Sequence, residues 1–369
     1  MKIIFLGRYN PSENLRGPEK VAKRLFENIS CTDLDLTFIE YFFDGKEYNL
    51  FKKIFGAEKN IANGKTIFRL GLARLFFFLL KEKPDIIHLV TFERFAFVAF
   101  IYKMFSKVKI IYTVHGIICY ENNFLKENLS YYYKTKDKYF EKVVFKFSDK
   151  IIFLSGISLK FAEKYLTVDK EKVQIIPNGI DRCFYEIKRL QNKNENTPLK
   201  IVFIGDYFRK EKGLDFLINS LKNIQFSIEL FIIGKTTKIY DSFKSLNLKI
   251  KFINKFEQNK YAEFLCDKDI IISSSFYDNF SISTIEAMAA GLIPIVTRET
   301  GMSELIQDGI NGFIYDYGDS SAILNVLKNL TLDLSKLRMV SANARKIFAQ
   351  LSWENIAEQY LNTYYKINA

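Results

Sequence analysis

SSSFYDNFSISTIEAMAAGLIPIVT, residues 273–297, reads as the end of one strand, a polar loop, a helix and the next strand. The run DIIIS (269–273) leads into it, and IPIVT (293–297) leads out. Both are apolar at consecutive rather than alternate positions, as a parallel strand covered on both faces requires. The same unit recurs along the chain. In the first half the expected strands are KIIFLG (2–7), LDLTFIEYF (34–42), DIIHLV (85–90), KIIYTVHG (109–116), KIIFLS (150–155) and VQIIP (173–177). The second half adds KIVFIG (200–205), SIELFIIG (227–234) and IKFIN (250–254). Helix-length segments separate these runs. Two are basic and rich in aromatics: KTIFRLGLARLFFFLLKEK (65–83), expected to be a helix, and YYYKTKDKYFEKVVFKFSDK (131–150).

The pattern restarts after LQNKNENTPLK (190–200), a polar stretch with Pro198 just before a new strand. The expected fold is therefore α/β, two doubly wound domains with a cleft between them. A length of 369 residues agrees, because it exceeds one ordinary core. With 48% hydrophobic and 26% charged residues, a disordered chain is excluded. The cysteines at 31, 119, 183 and 266 form no close pair, and there are two histidines, which disfavours a His/Cys metal site and fits a reducing compartment. MKIIFLGRYN carries no basic leader or cleavage site and reads as the first strand. The apolar run Leu75 to Leu80 falls far short of the ~20 residues that span a bilayer. The expected location is cytoplasmic, extending to peripheral contact at the inner face of the cell membrane.

The net charge of +12 is unevenly placed: residues 1–180 hold 30 Lys/Arg against 20 Asp/Glu, the remainder 24 against 22. A polyanionic partner is expected to meet the first half. With no nucleic-acid-binding motif present, an anionic membrane surface is the expected partner and nucleic acid is not.

Ligands of open α/β sheets sit beyond the carboxyl ends of the strands. The loop after DIIIS holds Asp278 and Asn279, and a helix starts at 281–284 with Glu286 in its first turns. Free N–H groups at such a start, here from Phe280, Ser281 and Ile282, suit a phosphate or sugar oxygen. Asp278 and Glu286 read either as separate partners for sugar hydroxyls or as a loop cap and a first-turn acid. In IGDYFRKEKGLDFLI (204–218), Arg209, Lys210 and Lys212 crowd a helix start, where cations oppose the dipole unless a diphosphate lies between them. His115 ends its strand on the ligand side, whereas His88 lies inside one and reads as core. The Asp-x-Asp pairs at 33/35 and 267/269 precede strands, so no essential metal is expected.

Residues 278–294 resemble the signature of glycosyltransferase family 4, an acid, seven residues, then Glu-Ala-Met-Ala-x-Gly-x-Pro. Here Asp278 and Glu286 are the acids, followed by Ala287, Met288, Ala289, Ala290, Gly291 and, after two more residues, Pro294. TVHG (113–116), PNGID (177–181), EKGLDFLI (211–218), TGMSELIQDGINGFI (300–314) and SWENIAEQYLNTYY (352–365) match in order. The resemblance implies a GT-B fold: an acceptor-binding Rossmann-like domain over 1–183, a nucleotide-sugar-binding one over 184–351, and a terminal helix, 352–369, packing back on the first. It implies a retaining transferase that moves sugar from a nucleoside diphosphate to a hydroxyl acceptor in surface polysaccharide or lipid-linked glycan synthesis. The nucleotide sugar is a substrate, and no cofactor is expected. Glu286 then holds the ribose, Asp278 the donor sugar near the reacting centre, Lys212 before Gly213 the diphosphate, and His115 lies against the donor sugar.

Three positions depart from the family pattern. Asp278 stands where most members have Glu. Asp206 stands where an arginine follows the strand glycine, and Arg209 is expected to supply the missing guanidinium. Of the paired glycines of the first loop (7–29) Gly17 remains, with Arg16 as a further phosphate contact. These departures keep alternatives in view: a catalytically weak partner subunit of a glycosylation complex, or a sugar-nucleotide epimerase of the same fold.

Overall fold

The computed structural model describes residues 1–9, 17–30, 34–42, 49–62, 64–122, 131–190, 194, 197–235, 246–253 and 258–369. The chain forms two compact units. One comprises Met1–Leu154, Leu159–Gly179 and Trp353–Ala369, the other Ser155–Ser158 and Ile180–Ser352.

The first unit runs β1 (Lys2–Leu6), α1 (Gly17–Ile29), β2 (Asp35–Tyr41), α2 (Leu50–Phe55), β3 (Ala57–Ala62), β4 (Lys65–Leu70), α3 (Leu72–Glu82), β5 (Ile86–Leu89), α4 (Phe97–Lys103), β6 (Lys109–Val114), α5 (Ile118–Tyr120), α6 (Tyr131–Phe147), β7 (Lys150–Phe153), α7 (Gly156–Glu163) and β8 (Val173–Ile175). Its strands join in the order β3-β4-β2-β1-β5-β6-β7-β8. All neighbours are parallel except β3 and β4, which form a hairpin. Strand order reverses between β1 and β5, which places the topological switch point there.

Residues 65–83 are not one helix: 65–70 form β4, Gly71 breaks the chain, and α3 follows. The sequence Asn63-Gly64 is a hairpin signal, and Gly64 has φ +74°, while Thr66, Ile67 and Phe68 favour a strand.

The second unit runs α8 (Arg182–Glu186), β9 (Leu199–Ile204), α9 (Leu214–Leu221), β10 (Ile228–Ile233), β11 (Leu248–Ile253), α10 (Gln258–Leu265), β12 (Ile270–Ser273), α11 (Ile282–Ala289), β13 (Ile293–Thr297), β14 (Phe313–Tyr315), α12 (Ser320–Leu332), α13 (Leu334–Arg345) and α14 (Phe348–Leu351). Its parallel sheet has the order β11-β10-β9-β12-β13-β14, reversing between β9 and β12. Ile270, Ile272, Ile293 and Ile295 are fully buried here, because both sheet faces are covered.

The closing helix α15 (Trp353–Asn368) belongs to the first unit and packs on α1. It is fixed by a buried polar chain. His88 Nδ1 lies 2.7 Å from Tyr364 Oη, and His88 Nε2 lies 2.8 Å from Thr113 Oγ1. Thr113 Oγ1 in turn lies 3.3 Å from Tyr360 Oη. Burial pushes His88 down to about 3, so the ring is neutral and can donate with one nitrogen and accept with the other. The expected core histidine is thus also the peg on which the last helix hangs.

Tyr364→Phe leaves one ring nitrogen of buried His88 without its partner and is expected to cost about 1–3 kcal/mol. The check is the thermal or urea midpoint of the whole chain; an unchanged midpoint removes the peg.

Candidate active site

Two loops meet at the switch point of the second unit. After β9 the chain makes a 3-10 turn, Lys210–Lys212, and enters α9 through Gly213 at φ +69°, ψ +30°. Only glycine takes that conformation cheaply, and a Cβ there would stand 2.0 Å from the carbonyl oxygen of Ser274. With glycine in place, Ser274 Oγ donates to the carbonyls of Gly213 and Lys212 at 3.0 and 3.1 Å. The Phe276 N–H donates to Glu211 O at 3.0 Å. The β9–α9 loop is thereby stitched to the β12–α11 loop.

The second loop is pinned from its other side. Gly301 N–H donates to Asp278 O at 3.0 Å, and Asp278 and Thr300 form a bridge. A Cβ on Gly301 would fall 1.9 Å from Asn279 O. The TGMSEL segment is therefore the backing of the Asp278 loop.

A shallow open depression lies between these loops, with Lys212, Ser273, Ser275, Ser281, Ser283 and Thr284 in its lining. Its floor is the carboxyl ends of β9 and β12, from Phe203, Ile204, Ile271 and Ile272. Ser281 is the N-cap of α11, extended at φ −84°, and no side chain caps the helix. The depression therefore has the uncapped start of α11 as one wall and Lys212 as another, a setting suited to an anion. Phe280 and Ser281 are buried and Ile282 half-buried at this helix start.

Lys212 is already engaged: its Nζ lies 2.6 Å from Asp278 Oδ2, and both side chains are mostly buried. Two residues expected in the site are thus bound to each other. Glu286, 4% exposed, sits in the second turn of α11. Tyr261 on α10 reaches Ser283 O at 3.5 Å, and desolvation, then the Glu286 charge, hold its hydroxyl protonated.

Arg209 Nε lies 2.5 Å from the Glu211 carboxylate, and half the side chain is exposed, so its cation is shared with an acid of the same turn. Asp206, where the family pattern has arginine, accepts from Lys235 N–H at 2.8 Å and ties the end of β9 to the end of β10.

In the first unit, His115 follows β6. Its Nε2 lies 2.9 Å from Val90 O, and a carbonyl only accepts, so Nε2 carries the hydrogen and Nδ1 the lone pair. Burial pushes its pKa down to about 4, leaving a neutral acceptor at pH 7. Gly17 is the first residue of α1; residues 10–16, Arg16 included, lie outside the described residues. Asp35 opens β2, Asp33 is not described, and Asp267 pairs with Lys200 at 2.6 Å at the amino end of β12. Among the described residues no group of three His, Cys, Asp or Glu could hold a metal ion.

Sequence reasoning missed Glu141. It is fully buried on α6, and its two carboxylate oxygens accept the N–H groups of Ile118 and Cys119 at 2.8 and 2.7 Å. These are the opening N–H groups of α5, three residues beyond His115. Within DKYFEKVVFK the residue looks like one charge among many on a solvated face; the hint was its place between Phe140 and Val143–Val144.

Two family models match the chain: glycosyltransferase family 4 over residues 35–182 and glycosyl transferases group 1 over 185–347. An uncharacterized 41.2 kDa protein of the Klebsiella pneumoniae cps region is 27% identical over 76% of this chain and 80% of its own. The UDP-Gal:alpha-D-GlcNAc-diphosphoundecaprenol alpha-1,3-galactosyltransferase of Escherichia coli is 24% identical over 74% of this chain and 73% of its own. Among solved structures, sucrose-phosphate synthase of Thermosynechococcus elongatus superposes with a TM-score of 0.77 at 15% identity, over 100% of this chain and 99% of that one. Anabaena HepE in complex with UDP gives 0.73 at 18% identity, over 99% and 100%. The fold is GT-B, built from two Rossmann-like units.

Desolvation, partly offset by the N–H groups of Cys119 and Ile118, raises Glu141 to about 7 from its ordinary 4.5. Such a carboxyl holds its proton more tightly folded than unfolded, so its stabilising contribution is present below about 4.5 and lost as pH rises through about 7. Glu141→Gln does not titrate. Between pH ~5 and ~8 the wild type is expected to lose up to about 3 kcal/mol relative to this variant, read from urea midpoints at the two pH values. A constant difference would contradict the assignment.

Proposed function

The chain belongs to the family 4 and group 1 glycosyltransferases, and from that premise we propose a retaining enzyme that moves a sugar from a nucleoside diphosphate to a hydroxyl acceptor. The acceptor class is a growing surface polysaccharide or a lipid-linked glycan. The observation that carries the donor reading is the depression at the β9/β12 switch point, which Lys212 and the uncapped start of α11 line together. A diphosphate is the ligand that uses both. In support, the E. coli relative is named for a UDP-sugar and a diphosphoundecaprenol-linked acceptor, and HepE was solved with UDP.

In this reading the diphosphate takes Lys212 from Asp278. The ammonium and the N–H groups of Phe280, Ser281 and Ile282 then stabilise the charge that develops on the departing diphosphate. Asp278, released, is free to accept from a hydroxyl of the donor sugar, and Glu286 accepts from the ribose hydroxyls. His115 keeps the role that the family pattern gives it, a partner of the donor sugar; within the first unit its Nδ1 lone pair is oriented by the Nε2–H bond to Val90 O. Arg209 joins the diphosphate contacts by leaving Glu211. Gly17 leaves room for backbone approach at the start of α1. No metal is assigned to the reaction, because cationic side chains and helix N–H groups meet the diphosphate charge.

Glu286→Gln is expected to lower kcat/KM for donor about 10–100-fold in a folded protein, the scale of losing a hydrogen bond to a charged group. Lys212→Ala should weaken a nucleoside diphosphate alone by a similar factor in titration calorimetry, whereas Asp278→Asn, which frees Lys212, should tighten that ligand and slow transfer. The assay is a panel of nucleotide sugars with an alcohol acceptor, the product anomer read by NMR. An inverted anomer refutes retention. Product formed without acceptor indicates epimerase chemistry, and a folded chain that turns over no donor indicates a partner subunit.

A further inference from the structure

The excess positive charge has a sharper address than the first half of the chain. Residues 50–109 carry twelve Lys/Arg against four Asp/Glu, which is +8 of the total +12. The same segment folds into α2, β3, β4, α3, β5 and α4, with α2 packed on α3 and α3 on α4.

These helices expose apolar side chains that a folded surface normally covers. α2, LFKKIF, buries no residue at all. Leu50, Phe51, Phe77, Met104 and Phe105 are 64–78% exposed. The rings of Phe51 and Phe55 meet at a tilt with centroids 5.5 Å apart, and Phe55 O accepts from Arg74 Nε at 3.2 Å, so α2 is held beside the start of α3 with its apolar residues outward. Lys52 and Lys53 lie between Phe51 and Phe55 on the same short helix.

A soluble polyanion explains the charge without the rings, and a protein groove explains the rings without the charge. A second copy of the same face would set the five cations of α2, α3 and α4, against a single acid there, opposite their own likeness. One partner uses both features: a bilayer whose head groups are negative and whose acyl boundary accepts Phe, Leu and Met. We propose that the α2–α3–α4 face is a docking surface for an anionic lipid bilayer, entered by Leu50, Phe51, Phe77, Met104 and Phe105 and held by the flanking lysines and arginines. No helix among the described residues is long and apolar enough to cross a membrane, so the contact is interfacial. The proposal does not depend on the donor reading, since vesicle binding needs neither donor nor acceptor.

The test is co-sedimentation of the full chain with phosphatidylcholine vesicles, with and without about 30% phosphatidylglycerol. Binding is expected to the anionic vesicles at about 0.1 M salt and to fall at least tenfold at about 0.5 M. Lys52→Glu with Lys53→Glu should weaken partitioning by about fivefold or more per residue. Phe51→Ser with Phe77→Ser, both side chains being exposed, should weaken it while the thermal midpoint holds. The proposal fails if the chain ignores anionic vesicles, binds neutral ones equally, or binds unchanged in both folded variants. It fails equally if Phe51→Ser with Phe77→Ser dissolves a dimer in sedimentation without altering vesicle binding.

Discussion

Backbone meets backbone where the β9–α9 and β12–α11 loops join, and the chemistry of the second unit depends on that contact. Gly213 against Ser274 O and Gly301 against Asn279 O leave no room for a Cβ. The two loops therefore hold one spacing, and that spacing puts Lys212 within reach of Asp278. The ion pair is a consequence of the stitching. It also settles the charge of the site, because a buried ammonium without a carboxylate would be costly.

Much of this was readable in the sequence, because consecutive apolar runs leave little choice but buried parallel strands. The strands around residues 200, 270 and 293, the helix starting near 282 and the loop position of His115 all follow from those runs. Misreadings arose where a local signal was weaker than its surroundings. The dense leucines and phenylalanines of 72–80 drew residues 65–70 into a helix, although Asn63-Gly64 marks a hairpin. Charge partners were invisible for another reason. Nothing in the spacing of Arg209 and Glu211 says that one turn folds them together, and nothing in Glu141 says that it reaches two N–H groups more than twenty residues back.

Several family motifs turn out to be scaffolding. TGMSEL backs the Asp278 loop, and the terminal SWENIAEQYLNTYY ends in the Tyr360 and Tyr364 that meet Thr113 and His88. A motif in sequence records a constraint, and here the constraint is as often a close backbone approach or a buried hydroxyl as a contact with ligand. The first unit shows the converse. Its exposed α2 carries no family signature, and its character lies in what it fails to bury.

The second unit begins at Ile180 and ends at Ser352, and these two residues pair; the N–H of Ile180 also donates to Leu351 O at 2.7 Å. Apart from Ser155–Ser158, it is an insertion whose two ends are knotted side by side, while the first unit takes both chain termini. Such a layout is a cassette. A different unit closed by the same two-residue clasp would leave the first sheet's strand order unchanged, since none of its strands lies between residues 180 and 352.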